Sequence, residues 1–170
     1  MAINNEEKLH GAAVLRLVEQ LSEFNDEVSL SVKNLESRNF YLLTAERSRF
    51  IGRSQTITFG LVIKTSNKRR SPWRYTYTKQ NQDELKKIKT KFGEVFSVYA
   101  AGEDGFACLN FSDLKEILDE KHEEKEWVSV SRRLRQEYRV SGNDGKREKT
   151  LAQNNYPKII IDYIAKKLGI

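Results

Sequence analysis

The sequence predicts a mixed α/β fold in which helices flank a central mixed β-sheet. Apolar residues recur with helical spacing at both ends and in the middle of the chain, and the segments between have the periodicity of strands. The order helix, three strands, helix, two strands and helix favours helices packed on a shared sheet. The 170 residues suffice for one domain. We therefore predict a single domain over residues 1–153 and a C-terminal helix over 154–170 that packs on it.

The first half of the chain predicts one helix and three strands. Apolar residues spaced by three and four predict the helix over Asn5–Phe24. Residues 28–33 alternate apolar and polar side chains like a half-buried strand, whereas 40–43 and 57–64 are continuously apolar like central strands. Gly60, inside the third strand, predicts either a bulge or a place where another group closely approaches the backbone.

The middle of the chain predicts a loop, a short strand and a helix. Residues 66–71 are a predicted loop because Pro72 ends any regular structure there, and an aromatic strand follows over Trp73–Thr78. The apolar spacing predicts a helix over 81–92, and Gly93 occupies the position of a helix stop.

The last third predicts a hairpin and further short elements. Residues 94–101 and 106–111 are rich in strand formers and flank a glycine-containing turn. Ser112 is the predicted cap of a short helix, and the charged residues 119–126 are a predicted solvated connection. The remaining predictions are a strand over 127–131, a turn over 142–145 and a helix over 157–168.

The composition indicates a compact folded domain with a heavily charged surface. Charged residues make up 32% of the chain, yet seven Tyr, eight Phe and two Trp exceed what a disordered chain usually carries. The net charge of +6 favours acidic partners. Cys108 is the only cysteine, which excludes a disulfide framework and favours a reducing compartment. Without a signal sequence or an apolar run of roughly 20 residues, we expect a cytoplasmic protein with no membrane partner.

Residues 64–79, which we call the first basic segment, contain no acidic residue. Lysine and arginine neutralise phosphates, and the interspersed hydroxyls fix register on a phosphate backbone. Trp73, Tyr75 and Tyr77 share one face of the predicted strand, where exposed rings stack on bases. The same alternation fits rings packed in the core with only cations at the surface, which we favour for the rings. The cations of this segment are Lys64, Lys68, Arg69, Arg70, Arg74 and Lys79.

Residues 129–139, the second basic segment, place serine hydroxyls beside Arg132, Arg133 and Arg135. Guanidinium groups suit bidentate phosphate contact. The alternative is an intramolecular surface in which these cations pair with the neighbouring acidic residues 113–126. Further candidate cations, in a predicted mobile loop, are Lys146, Arg147 and Lys149.

Catalytic and metal motifs are sparse. His10 and His122 are isolated, with no HxxxH or HxH companion, so we expect no histidine-based metal site. There is no nucleophile elbow and no glycine-rich phosphate loop. We accordingly predict no resident cofactor.

Over residues 5–118 the element order resembles the restriction-endonuclease-like, or PD-(D/E)XK, nucleases. In that family the third strand ends in an acid-x-lysine pair and a glutamine often opens the next helix; here Lys64 ends the strand, and Gln80 and Gln82 open the helix. The resemblance implies Mg²⁺-dependent hydrolysis of nucleic acid. Val62 stands where the acid belongs, and Glu36 and Glu46 are the nearest acids outside the motif. The catalytic candidates under this hypothesis are Lys64, Glu46 and Glu36.

We therefore expect a nucleic-acid-binding protein, for DNA rather than RNA, built on a non-catalytic or divergent nuclease-like fold. One alternative is an Mg²⁺-dependent endonuclease with migrated acidic residues. The other is an adaptor domain whose basic surface meets an acidic protein partner. The sequence leaves open a homo-oligomer. The predicted contacts to nucleic acid are Lys64, Lys68, Arg69, Arg70, Arg74, Lys79, Gln80, Arg132, Arg133 and Arg135.

Overall fold

A computed structural model describes residues 1–49 and 51–170, and it confirms the mixed α/β class. The strands divide between two sheets, a division that the sequence did not indicate. The elements are α1 (Asn5–Phe24), β1 (Val28–Asn34), β2 (Phe40–Arg47), β3 (Gln55–Thr65), β4 (Trp73–Thr78), α2 (Lys79–Phe92), β5 (Val95–Ala100), β6 (Phe106–Asn110), α3 (Phe111–Lys115), β7 (Lys125–Ser131), β8 (Arg139–Gly142), β9 (Gly145–Lys146) and α4 (Asn155–Leu168).

The first sheet has five strands in the order β1-β2-β3-β5-β6, and the second has four in the order β4-β7-β8-β9. The neighbours β3 and β5 are parallel, whereas the other pairs are antiparallel. A parallel pair needs a crossover connection, and the chain between β3 and β5 supplies it through β4 and α2. Because the chain leaves the first sheet after β3 and β4 pairs with β7, β4 belongs to the second sheet and the β3–β5 crossover passes through it.

Helix ends follow their caps. α1 begins as predicted because Asn4 and Glu7 form a reciprocal capping box. α2 begins two residues before the predicted start because Thr78 and Asn81 form a second one. The prediction of Ser112 as the cap of α3 is wrong, since the side chain of Asn110 accepts from the main chain of Asp113 instead.

Two apolar cores lie on opposite faces of the five-stranded sheet. On one face α1 and α4 pack through residues such as Leu17 and Ile160, both fully buried. On the other face lie α2, α3 and the second sheet, whose Trp73, Tyr75 and Tyr77 are buried. Each large side chain buried in this way contributes about 1.5–3 kcal/mol of transfer free energy.

Gly60 lies where another element approaches the backbone, the second of the two predicted explanations. A Cβ at this position would stand 2.4 Å from Cγ2 of Ile88 in α2 and 2.9 Å from Cγ2 of Val95 in β5. Glycine therefore allows α2 to pack closely on β3. Over the described residues, no helix is long and apolar enough to cross a bilayer.

Candidate functional site

The antiparallel pairing of β4 with β7 brings the two basic segments together. Arg74 lies opposite Ser129, and Trp73 lies opposite Val130. The nearest ends of the segments, residues 79 and 129, are 50 positions apart in the chain, so only this pairing makes them neighbours. Their side chains then alternate between a core face and an outer face of the second sheet.

Burial follows that alternation. Trp73, Tyr75 and Tyr77 are 3%, 2% and 0% exposed, so the rings belong to the core, in agreement with the favoured prediction. On the outer face Arg74 and Thr76 are exposed. Ring stacking on bases by this strand is thereby excluded in the folded protein.

The outer face continues across the sheet in register. Arg74 lies opposite Ser129, Ser129 opposite Ser141, and Ser141 opposite Lys146. Among the described residues, the side chains on the outer face of β4, β7, β8 and β9 are cationic or carry hydroxyls, apart from one tryptophan. None of them is a carboxylate. We call this set the basic sheet face: Arg74, Thr76, Thr78, Lys125, Trp127, Ser129, Ser131, Arg139, Ser141 and Lys146.

A hollow of about 460 Å³ lies at one edge of the basic sheet face. Ser129 and Ser131 contribute hydroxyls to its wall, and Arg133 and Arg139 contribute guanidinium groups. Glu137 also lines it, but its carboxylate accepts a hydrogen bond from the hydroxyl of Thr150. Hydroxyls beside guanidinium groups are suited to a phosphate oxygen.

The other predicted contacts lie on the chain segments next to the strands of this face. Lys68, Arg69 and Arg70 are exposed in the loop between β3 and β4, which we call the basic loop. Lys79 and Gln80 are exposed at the start of α2, and Arg133 and Arg135 are exposed in the connection between β7 and β8.

Arg132 has a structural partner that the sequence did not indicate. Its Nε donates to Oδ2 of Asp104 at 2.7 Å, and its terminal nitrogen pairs with the other carboxylate oxygen. The hydroxyl of Tyr138 donates to the same carboxylate at 2.7 Å. The Arg132 hydrogen bond is the first cause that lowers the pKa of Asp104. Arg132 therefore joins β7 to the turn between β5 and β6 and contributes little free charge to a ligand.

Lys64 is half-buried, and its ammonium group is held by polar neighbours. Its Nζ donates to the carbonyl oxygen of Thr76 and to Oδ1 of Asn81, each at 2.8 Å, and lies 4.3 Å from the ring centroid of Tyr77. Burial lowers the pKa of Lys64 to about 8. These contacts tie the end of β3 to β4 and to the start of α2.

The predicted carboxylates are not gathered around Lys64. Glu46 pairs with Thr56, eight positions before Lys64 in β3, which places it roughly 26 Å along the sheet. Glu36 is exposed in the connection between β1 and β2. Within residues 1–49 and 51–170, no ion pair includes Lys64.

Asp113, Glu116 and Glu120 of the acidic stretch 113–126 find partners away from both basic segments. Asp113 and Glu116 pair with Arg147, which is 8% exposed, so the prediction of Arg147 in a mobile loop is wrong. Glu120 pairs with Lys86 of α2. In the described part of the chain, no ion pair joins this acidic stretch to residues 64–79 or 129–139, so the predicted intramolecular neutralisation is not observed.

A polar cluster at the N-terminal helix was missed because its members come from distant elements. His10 of α1 and Tyr41 of β2 share a hydrogen bond of 2.7 Å between Nδ1 and the hydroxyl. They line a hollow of about 360 Å³ with the ion pair of Glu6 and Arg38. Burial is the first cause that lowers the pKa of His10. No spacing in the sequence signals this cluster.

No protein-family model, curated protein or solved structure matches this chain.

Proposed function

We propose that this protein binds nucleic acid, and DNA in preference to RNA, through the basic sheet face and the adjacent basic loop. One observation carries the proposal: the outward strand positions present cations and hydroxyls without a carboxylate. Such a surface attracts phosphates and releases their counterions. Serine and threonine hydroxyls beside the cations fix the register of the backbone.

The spacing of the cations suits a run of phosphates. Arg74 and Lys146 are three strand spacings apart in the register, which corresponds to roughly 14 Å at about 4.8 Å per strand. One DNA strand carries a phosphate for about every 3.4 Å of helix axis, so this span covers about four nucleotide steps. Arg139 on β8 lies between these two residues.

We expect recognition of the backbone rather than of bases. The rings of β4 are buried, and Trp127 on the outer face is already covered by the guanidinium of Arg74, 5.1 Å from its ring centroid. Contacts to phosphates carry no sequence information by themselves. Binding should therefore tolerate sequence and weaken steeply with salt.

The test compares two double variants that remove the same charge. Arg74→Ala/Arg139→Ala removes two cations from the basic sheet face, whereas Arg49→Ala/Arg53→Ala removes two exposed arginines near the distant start of β3. Affinity for a short duplex is measured by fluorescence anisotropy between about 50 and 200 mM salt, a range over which phosphate contacts weaken strongly. Each lost phosphate contact makes the negative slope of log affinity against log salt shallower by about 0.9. The slope of the first variant should therefore be shallower than that of the wild type by about 1.8.

The control variant should keep the wild-type slope. Absence of binding at low salt, or an equal loss in both double variants, would refute the proposal. Parallel titrations with single-stranded DNA and with duplex RNA of the same sequence test the preference for DNA.

The two alternative functions have less support. An endonuclease centre at Lys64 requires acidic partners, whereas its ammonium group donates to a carbonyl and an amide. Incubation of plasmid with Mg²⁺ tests this alternative directly. For an adaptor, a complex with an acidic protein that persists after nuclease treatment would replace the nucleic-acid proposal.

A further inference from the structure

Three carboxylates converge at the start of β7. Ligand oxygens of Asp119, Glu126 and Asp144 all lie within 4.8 Å of one another. Asp119 follows α3, Glu126 is in β7, and Asp144 is in the tight turn between β8 and β9. The cluster therefore joins three segments that are separate in the sequence.

Glu126 distinguishes this cluster from an ordinary acidic surface. The sequence predicted a solvated connection here, but β7 begins at Lys125 and leaves Glu126 only 2% exposed. Among the described residues, no hydrogen bond of normal geometry reaches either of its carboxylate oxygens. Burial is the first cause that raises the pKa of Glu126, Asp144 is the second, and the main-chain amide of Glu123 acts in the opposite direction. A buried carboxylate without partners is costly and calls for a ligand.

The two aspartates are positioned by main-chain hydrogen bonds. The amide of Asp119 donates to Oδ2 of Asp144 at 2.8 Å, and the amide of Lys121 donates to Oδ1 of Asp119 at 2.7 Å. The amide of Asp144 donates to the carbonyl oxygen of Ile117 at 3.0 Å. Each aspartate thus keeps its second carboxylate oxygen for another ligand.

The ammonium group of Lys115 forms no ion pair with the cluster. Lys115 Nζ donates to the carbonyl oxygen of Asp119 and contacts Nε2 of His122, each at 3.4 Å. Burial is the first cause that lowers the pKa of Lys115. In the part of the chain that the structure describes, none of the three carboxylates forms an ion pair with a basic side chain.

We propose that Asp119, Glu126 and Asp144 bind one hard divalent cation, Ca²⁺ or Mg²⁺. Carboxylate oxygens are the ligands that both ions prefer. Two oxygens on one Ca²⁺ lie at most about 5 Å apart, because each bond is about 2.3–2.6 Å long; on Mg²⁺ the limit is about 4.2 Å. The observed convergence within 4.8 Å lies inside the Ca²⁺ limit, and water completes the coordination. The bound ion links the loop after α3, the start of β7 and the turn between β8 and β9.

The test uses the full chain without nucleic acid, so its outcome is independent of the proposed nucleic-acid binding. Protein freed of cations with a chelator and dialysed is titrated with CaCl2 or MgCl2 by calorimetry, and its Tm is followed in parallel against KCl of equal ionic strength. Glu126→Gln and Asp144→Asn each remove one charge from the cluster, and Asn at position 144 can still accept the Asp119 amide. Glu123→Gln, at an exposed neighbouring position, is the matched control.

We expect one site per chain in the wild type and in Glu123→Gln, with a cation-dependent rise in Tm. Glu126→Gln and Asp144→Asn should each lose at least about tenfold in affinity. Without cations, Glu126→Gln should melt no lower than the wild type, because it removes a buried unpartnered charge. Of the CaCl2 and MgCl2 titrations, the one that gives the tighter binding identifies the preferred ion. The proposal would be overturned if neither Ca²⁺ nor Mg²⁺ raised the Tm more than KCl of equal ionic strength does. It would also be overturned if the cation-dependent rise in Tm persisted in both Glu126→Gln and Asp144→Asn.

Discussion

Replacing Lys64 by Met is expected to make the stability of the protein less dependent on pH. The Lys64 ammonium is buried at the junction of β3, β4 and α2, where burial lowers its pKa from 10.5 to about 8. Below pH 8 the side chain is charged in both the folded and the unfolded chain, and the folded state bears the full cost of burying the charge. As pH rises from 8 towards 10.5 the folded protein holds a neutral amine while the unfolded chain stays charged, so stability increases.

The size of this effect follows from the two pKa values. A difference of 2.5 between 10.5 and about 8 corresponds to roughly 3 kcal/mol, since one pKa unit equals about 1.36 kcal/mol. Only part of that range is accessible before tyrosines titrate. Integrating the linkage between pH 7 and pH 9.5 gives an increase of about 2 kcal/mol in the free energy of unfolding. Met keeps most of the apolar stem and removes the titration.

Urea unfolding at pH 7 and pH 9.5 measures the effect as a difference between variants, so the titration of all other groups cancels. Relative to the wild type, Lys64→Met should be about 2 kcal/mol more stable at pH 7 than at pH 9.5. Lys68→Met, four residues along in the exposed basic loop, should show no such change. A stability difference between Lys64→Met and wild type that is the same at both pH values would refute the burial of a charged Lys64.

Two further predictions concern packing and an ion pair. Gly60→Ala should destabilise the protein by about 1–3 kcal/mol because its Cβ would overlap Ile88, whereas Gly11→Ala, with nothing within 4 Å, should stabilise α1 by about 0.5–1 kcal/mol. If urea unfolding showed that both substitutions change the free energy of unfolding in the same direction, these two predictions would be contradicted. Asp104→Asn should cost about 1–2 kcal/mol at pH 6 by weakening the contact with Arg132. Because the pKa of Asp104 in the folded protein lies below its ordinary 3.8, its contribution to the free energy of unfolding is present above pH 3.8 and is lost as pH falls. The stability difference between Asp104→Asn and the wild type should therefore shrink at pH 3, and an unchanged difference would contradict this reasoning.

Local patterns were enough to predict most elements of this protein. α1 begins and ends where predicted, since its apolar spacing and the Asn4 cap are short-range features. The alternation in residues 73–78 separated the buried rings from the outward-facing Arg74 and Thr76, because successive side chains of any strand point to opposite faces. Strand β8 was missed because it has only four residues, too few for a periodic signal. Val140 and Gly142 lie on its inner face, and glycine adds no apolar side chain to the pattern.

Side-chain roles that depend on distant partners could not be predicted. Arg132 was indistinguishable in sequence from the exposed Arg133, and only the approach of Asp104, 28 residues away, makes it structural. Lys64 and Arg147 were likewise expected at a surface, but neighbouring elements enclose both. A charge pattern describes which residues repel or attract at short range; it contains no information about which long-range partner reaches a given side chain.

The two basic segments and the alternation of their side chains were therefore visible in the amino-acid order, because charge and strand periodicity are local properties. Their union into one basic sheet face came from the pairing of β4 with β7, and the convergence of Asp119, Glu126 and Asp144 came from the packing of three segments. Both depend on strand register, which the burial of whole faces sets during folding. For this reason Arg74 and Lys146 were candidate cations from the sequence, whereas Lys125 and Arg139 of the same face were not among the predicted contacts. The carboxylate cluster was not predicted at all.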